Sequence, residues 1–167
     1  MLAIRLLDAD DPPVIAVAFN AIGWDKPFEQ YRRYLQEQAA GDRTVLVARL
    51  DGDFAGYVTI VWSSAYAALR DAGIPEISDF NVLPQYRRRG IGTALMGAAE
   101  ALVSERSAKA GIGVGLYPDY GPAQQLYVLR GYVPDGRGVV WRNRNAAPGE
   151  SVVVDDDLAL YFTRKLR

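Results

Sequence analysis

From Ile74 to Lys109 the chain reads as a strand, a sharp basic turn and a long amphipathic helix. That succession constrains the fold more than any other stretch. Ile74 to Leu83 is largely apolar and ends at Pro84, which has no N–H to give to a ladder. Gly90 to about Lys109 then places Ile91, Leu95, Ala98 and Leu102 on one helical face, with Glu100 and Arg106 away from it and Gly111 as the stop. A strand feeding a helix through a short loop belongs to folds in which helices cover a sheet.

The flanking sequence extends this pattern. Residues 3–8 predict a first strand, and Asp10-Asp11-Pro12-Pro13 opens a helix that runs to about Ala21. A second helix runs from about Pro27 to Ala39, with Phe28, Tyr31 and Leu35 at helical spacing. Thr44–Leu50 and Phe54–Trp62 flank Asp51-Gly52, a strong short-range hairpin signal. Residues 65–73 fit a short helix or a loop. Beyond the long helix come a strand from Ile112 to Tyr117 and a short helix from Pro122 to Leu129, with Gly131 as its C-cap. A strand takes in Val133 and Val139–Arg142, residues 143–151 form a polar loop, and a last strand spans Leu158–Leu166. The order β-α-α-β-β-β-α-β-α-β-β predicts an α/β or α+β fold, a mixed sheet flanked by helices, as one domain over residues 1–167.

Composition narrows the chemistry. The chain has no cysteine and no histidine, so thiolate catalysis, a histidine base and the commonest metal ligands are all excluded. No metal is expected. A net charge of −1 gives no case for nucleic-acid binding. No signal peptide and no apolar run of about 18 residues is apparent, so the expectation is a cytoplasmic protein without a membrane partner.

The chemistry then centres on the turn. Arg87, Arg88, Arg89, Gly90, Ile91, Gly92 and Thr93 lie where a helix begins. The first backbone N–H groups of a helix have no partners within it, and the helix dipole adds positive potential, so the segment is an anion site. Gly90 and Gly92 allow the backbone to approach a phosphate. The turn is neither a dinucleotide fingerprint, since Leu95 occupies the third glycine position, nor a mononucleotide P-loop, since no Gly-Lys-Ser/Thr exists.

Arg87-x-x-Gly90-x-Gly92, preceded by Phe80-x-Val82-x-Pro84, resembles the acetyl-CoA signature of the GNAT N-acetyltransferase superfamily. Downstream, Ala123-x-x-Leu126-Tyr127-x-x-x-Gly131-Tyr132 is similar to the second region of that family. The element order matches as well, from residue 3 to 166. The resemblance implies a single mixed, mostly antiparallel central sheet and direct transfer of acetyl from acetyl-CoA to an amine. Phe80, Val82 and Leu83 would pair with the pantetheine arm, amides from Arg88 to Thr93 would cradle the pyrophosphate, and Tyr127 would hydrogen-bond or protonate the departing thiolate. Tyr120 stands where the family often has asparagine, and would offer a hydroxyl to pantetheine or line the acceptor site instead.

The acceptor amine must lose a proton. Glu76 and Asp79 are unusual acids in a central strand, and burial would raise either pKa towards a useful range. Trp24, Tyr31, Trp62 and Tyr66 would by resemblance flank the acceptor, while Asp155-Asp156-Asp157 reads as a solvated loop. The acceptor is expected to be a small-molecule or peptide amine. A homodimer is a further option that the resemblance raises. Two other readings remain: a CoA-binding regulator without efficient transfer, and a partner-binding module using the 27–39 helix.

Overall fold

Asp51 and Gly52 both take positive φ, 53° and 94°, as a two-residue turn matching the twist of its strands demands. They join β2 (Arg43–Leu50) to β3 (Asp53–Val61) in the computed structural model, which describes residues 1–167. The predicted hairpin is therefore present. The remaining elements are β1 (Leu2–Leu6), α1 (Asp11–Asn20), α2 (Phe28–Ala40), α3 (Ala67–Arg70), β4 (Glu76–Val82), α4 (Ile91–Arg106), β5 (Lys109–Gly115), α5 (Gly121–Leu129), β6 (Val133–Trp141), β7 (Arg144–Asn145) and β8 (Leu158–Lys165). Hydrogen-bonded neighbours follow the order β1-β2-β3-β4-β5-β8-β6-β7. β4 and β5 are parallel, whereas β1/β2, β2/β3, β5/β8, β8/β6 and β6/β7 are antiparallel. The mixed, mostly antiparallel sheet flanked by helices is thus the observed architecture.

The chain divides into two compact units, and β4 contributes to both. The first comprises residues 1–62 and 78–102. Its core gathers Leu7, Ile15, Phe19, Tyr31, Tyr34, Val45, Val47, Phe54, Tyr57 and Leu83. Phe19 meets the rings of Phe54 and Tyr57 edge-on, at centroid distances of 5.9 and 6.0 Å. Asp11 opens α1 as predicted and does more than begin the helix. Its buried carboxylate accepts from Arg5 at 2.6 and 2.8 Å and from Arg49 at 2.9 Å, which ties α1 to β1 and β2.

The second unit comprises residues 63–77 and 103–167. Tyr66 and Tyr161 stack at 4.2 Å in a core with Leu69 and Val140. β5 is glycine-rich because large side chains lie across it: a Cβ on Gly111 would meet Leu69 at 2.5 Å, and one on Gly113 would meet Tyr161 at 2.9 Å.

Four expectations are corrected. α4 ends at Arg106 rather than Lys109, because the Ser107 hydroxyl accepts from the Lys109 amide and donates to its carbonyl, turning the chain before Gly111. β5 accordingly starts at Lys109 rather than Ile112. Glu100 is buried, so the covered stripe of α4 reaches further round than the pattern Ile91, Leu95, Ala98, Leu102 indicates, with Met96 and Ala99 inside it. Finally, β7 lies within the predicted 143–151 loop, while β6 is the single strand expected, with a register shift between Pro134 and Val139.

Candidate active site

The turn predicted to carry the chemistry grows from β4. Leu83 is buried and its amide donates to the Ala55 carbonyl at 2.9 Å, which anchors the end of the strand. A single 3-10 turn over Pro84–Tyr86 follows. Arg88 then adopts φ 59° and Gly90 φ 77°, so two of three consecutive residues are left-handed. Left-handed geometry at an arginine costs about 1–2 kcal/mol and marks a segment held by its surroundings. The first amide of α4 to bond back is that of Ala94, to the Gly90 carbonyl at 3.0 Å. The N–H groups of Ile91, Gly92 and Thr93 therefore have no partner within the helix.

Space at this turn is set by Gly92. A Cβ there would stand 3.1 Å from Cζ of Phe80 and 3.8 Å from Cγ2 of Val82. Nothing lies within 4 Å of a Cβ on Gly90, whose requirement is conformational instead. The arginines divide their roles. Arg87 donates to the Val82 carbonyl at 3.2 Å, and its guanidinium lies 5.8 Å from the Trp24 ring. Arg89 lies 5.8 Å from the Tyr86 ring. Residues 87–90 are exposed, so the turn offers charge and amides to a solvent-borne anion.

Asp79 lies one residue before Phe80 and takes φ 45°, a kink in an otherwise extended strand. Its Oδ1 accepts from Lys26 Nζ at 2.7 Å and Asn81 Nδ2 at 2.9 Å. Its Oδ2 accepts from Tyr57 at 2.6 Å, Tyr34 at 2.9 Å and Gln30 at 3.0 Å. Burial of the carboxylate works to raise its pKa, but the Lys26 charge and the hydroxyl donors outweigh it, and the net shift is downward. That direction is opposite to the one expected for a base. Tyr34 and Tyr57 shift upward, through burial first and the neighbouring Asp79 charge second, so both hydroxyls stay protonated and donating. Sequence reading missed Lys26, Gln30 and Tyr34. Their spacing of four, leading into and along α2, was the available signal.

β3 approaches this part of β4 closely at Gly56, where a Cβ would fall 2.4 Å from the Asn81 carbonyl oxygen. Of the four aromatics expected near the acceptor, Tyr31 is fully buried, with its hydroxyl 3.3 Å from that of Tyr57. Trp24 is partly exposed and stacks on Phe19 at 5.7 Å. It lines an open cavity of about 440 Å³ with Ala16, Asn20, Gly23, Asp25, Lys26 and Pro27. Trp62 donates from Nε1 to Thr44 at 3.0 Å.

The remaining predicted residues belong to the second unit. Tyr127 lies on α5, is 4% exposed, and has its ring centroid 6.1 Å from that of Tyr132. Burial alone pushes its hydroxyl above the ordinary tyrosine range. Gly131 at φ 86° ends α5, as the spacing predicted. Tyr120 has partners within the fold. Its ring covers Gly115, where a Cβ would lie 2.3 Å away, and its hydroxyl donates to Asp156 at 2.8 Å. Tyr117 donates to the same carboxylate. Glu76 accepts from Ser64 at 2.5 Å and from Tyr161 at 3.4 Å, while Tyr66 donates to Asp135 at 3.1 Å. No group of three or more acidic side chains is arranged to hold a metal ion.

The model of the acetyltransferase (GNAT) family matches residues 5–132. The chain belongs to that family. The resemblance carried by Arg87-x-x-Gly90-x-Gly92 and Leu126-Tyr127 is therefore membership, and the protein is an N-acetyltransferase. It is 30% identical over 146 residues to an N-alpha-acetyltransferase of Sulfurisphaera tokodaii, covering 79% of this chain and 84% of the relative. A GNAT acetyltransferase structure from Desulfovibrio desulfuricans superposes with a TM-score of 0.74 at 18% identity, covering all of both chains. An N-acetyltransferase from Thermoplasma acidophilum, in complex with coenzyme A, superposes with a TM-score of 0.68 at 12% identity over 99% of each chain. Enzymes of the family use acetyl-CoA.

Proposed function

We propose that the turn from Arg87 to Thr93 holds the pyrophosphate of acetyl-CoA, and that the enzyme passes the acetyl group directly to a primary amine. The observation that carries this reading is the start of α4 directly after the exposed 87–90 turn, where the amides of Ile91, Gly92 and Thr93 lack helical partners and Gly92 only just clears Phe80. The donors suit a doubly charged diphosphate, and Arg88 and Arg89 add charge without being the fixed element. Phe80 to Leu83 would present the strand edge that pairs with the pantetheine arm.

Tyr127 is the group proposed at the leaving sulfur. A thiol has an ordinary pKa near 8.5 and tyrosine near 10. Burial moves Tyr127 further up. Its hydroxyl therefore serves the departing thiolate as a hydrogen-bond donor, with full proton transfer uphill. Of the two strand acids, Asp79 is held ionised too firmly to take a proton, which leaves Glu76 or solvent to receive it from the acceptor. Tyr120, engaged with Asp156, is assigned to shaping the turn before α5 rather than to pantetheine.

For the acceptor, the α-amine of a polypeptide is favoured over a small-molecule amine, supported by the N-alpha-acetyltransferase relative. The experiment is an acetyl-transfer assay by mass spectrometry. Peptides with free N-termini, the same peptides with blocked N-termini and a free lysine, and small primary amines are each supplied with acetyl-CoA. Acetylation of the free N-termini alone supports the reading. Acetyl-CoA binding without transfer to any amine would favour the regulator instead.

A further inference from the structure

Asp79 is the meeting point of five donors that come from four places in the first unit: Lys26 before α2, Gln30 and Tyr34 on α2, Tyr57 on β3, and Asn81 on β4. It also carries the kink of β4, at φ 45°. The next residues, Phe80 to Leu83, are those proposed to present their backbone to the coenzyme. A left-handed residue within a strand relaxes to extended geometry unless its surroundings hold it. Here the holding groups are identifiable. Lys26 is the cation among them, with its ammonium 2.7 Å from Oδ1 and 6.0 Å from the centroid of Tyr57.

We infer that Asp79 and Lys26 are positioning residues: the pair pins the kink of β4 and thereby fixes the backbone that receives acetyl-CoA, with Asp79 taking no proton during the reaction. The inference deepens the proposed function and rests on it for the identity of the ligand. Asp79 is saturated with donors, and a carboxylate with every lone pair engaged has no vacancy for an acceptor's proton. The same network explains an otherwise odd choice, a lysine ammonium led from the α1–α2 turn to a largely covered carboxylate. The side chains of Lys26 and Asp79 are only 22% and 17% exposed.

The test uses Asp79→Asn, Lys26→Met and Lys26→Arg in the full chain. Three readouts are taken: amide hydrogen exchange of residues 81–83 without ligand, acetyl-CoA affinity by calorimetry, and the pH profile of transfer. Asp79→Asn and Lys26→Met are both expected to speed exchange at residues 81–83 by about tenfold, since local opening costs less. Both are expected to weaken acetyl-CoA binding by about fivefold or more and to leave the shape of the pH profile unchanged. Lys26→Arg restores the ion pair and should recover most of both losses.

The outcomes separate cleanly. If Asp79→Asn keeps wild-type exchange and affinity while turnover falls and the acid limb of the profile disappears, Asp79 is a base and the inference is overturned. Wild-type exchange in both Asp79→Asn and Lys26→Met also overturns it. Should the wild-type protein bind no acetyl-CoA, the proposed function fails, yet the exchange data still decide whether the pair pins the strand.

Discussion

Gly92 lies at the first turn of α4 with its Cα turned to Phe80, so near that an added Cβ would stand 3.1 Å from the ring's Cζ. That separation is tighter than ordinary carbon contact, and the ring would have to yield by a few tenths of an ångström. The strand that would pair with pantetheine and the helix that would hold the pyrophosphate are thus in register because one residue lacks a side chain. Gly92→Val should displace Phe80 and weaken acetyl-CoA binding by about tenfold, or roughly 1.4 kcal/mol. Calorimetry checks the affinity, and circular dichroism should show an unchanged fold. An unaltered affinity removes Gly92 from the site.

Gly90 is required for a different reason. Its φ of 77° suits glycine, and no neighbour limits its space. Gly90→Ala should lower stability by about 1 kcal/mol through backbone strain. The melting temperature, followed by far-UV circular dichroism, would drop by a few degrees for a chain of this size. A stabilised variant would mean that the turn is not held left-handed in solution.

Tyr127→Phe keeps the buried ring and removes the hydroxyl. Turnover should decline by roughly ten- to a hundredfold, at the lower end of acid–base contributions because a thiolate leaves readily. Affinity for acetyl-CoA should change little. Steady-state kinetics beside calorimetry reads both, and wild-type turnover would reassign Tyr127 to packing against Tyr132.

Glu76→Gln distinguishes the two strand acids. With Asp79 held ionised, loss of the Glu76 carboxylate should reduce turnover and flatten the acid limb of the rate profile, with acetyl-CoA affinity preserved. The profile is measured by following CoA release with pH. A profile of unchanged shape would assign deprotonation of the acceptor to solvent.

Asp11 and Asp79 both have depressed pKa values in the folded protein, Asp11 because Arg5, the Asp8 amide and Arg49 outweigh its burial. A carboxylate with a lowered folded pKa gives stability that is fully present above its unfolded value, near 3.9, and is lost as pH falls through the folded value. Urea melts should therefore show stability level near neutrality and declining below about pH 4–5. Asp11→Ala, which takes the shared carboxylate from Arg5 and Arg49, should destabilise the protein more at pH 7 than at the acid end. An equal cost at both ends would contradict the ionised reading.

The legible part of this molecule was local. A hairpin at Asp51-Gly52, a cap at Gly131 and a basic glycine turn before a helix each follow from a few adjacent residues, and each is found. What escaped was long-range. Asp79 was recognisable as a buried acid, but the sign of its shift depends on Lys26, Gln30, Tyr34 and Tyr57, which lie 22 to 53 residues away in sequence. The partner of Tyr120 was out of reach for the same reason, since Asp156 lies 36 residues on. Short strands such as β7 depend on pairing rather than composition, and two residues carry no period.

Backbone amides from Arg88 to Thr93 are proposed to hold the coenzyme's pyrophosphate. The most direct measurement is an amide-resolved NMR titration of the wild-type protein with acetyl-CoA. The largest shifts should fall on residues 88–93, with Phe80 to Leu83 next, and should saturate together with a single affinity. Saturable binding that leaves those amides unmoved would contradict the claim.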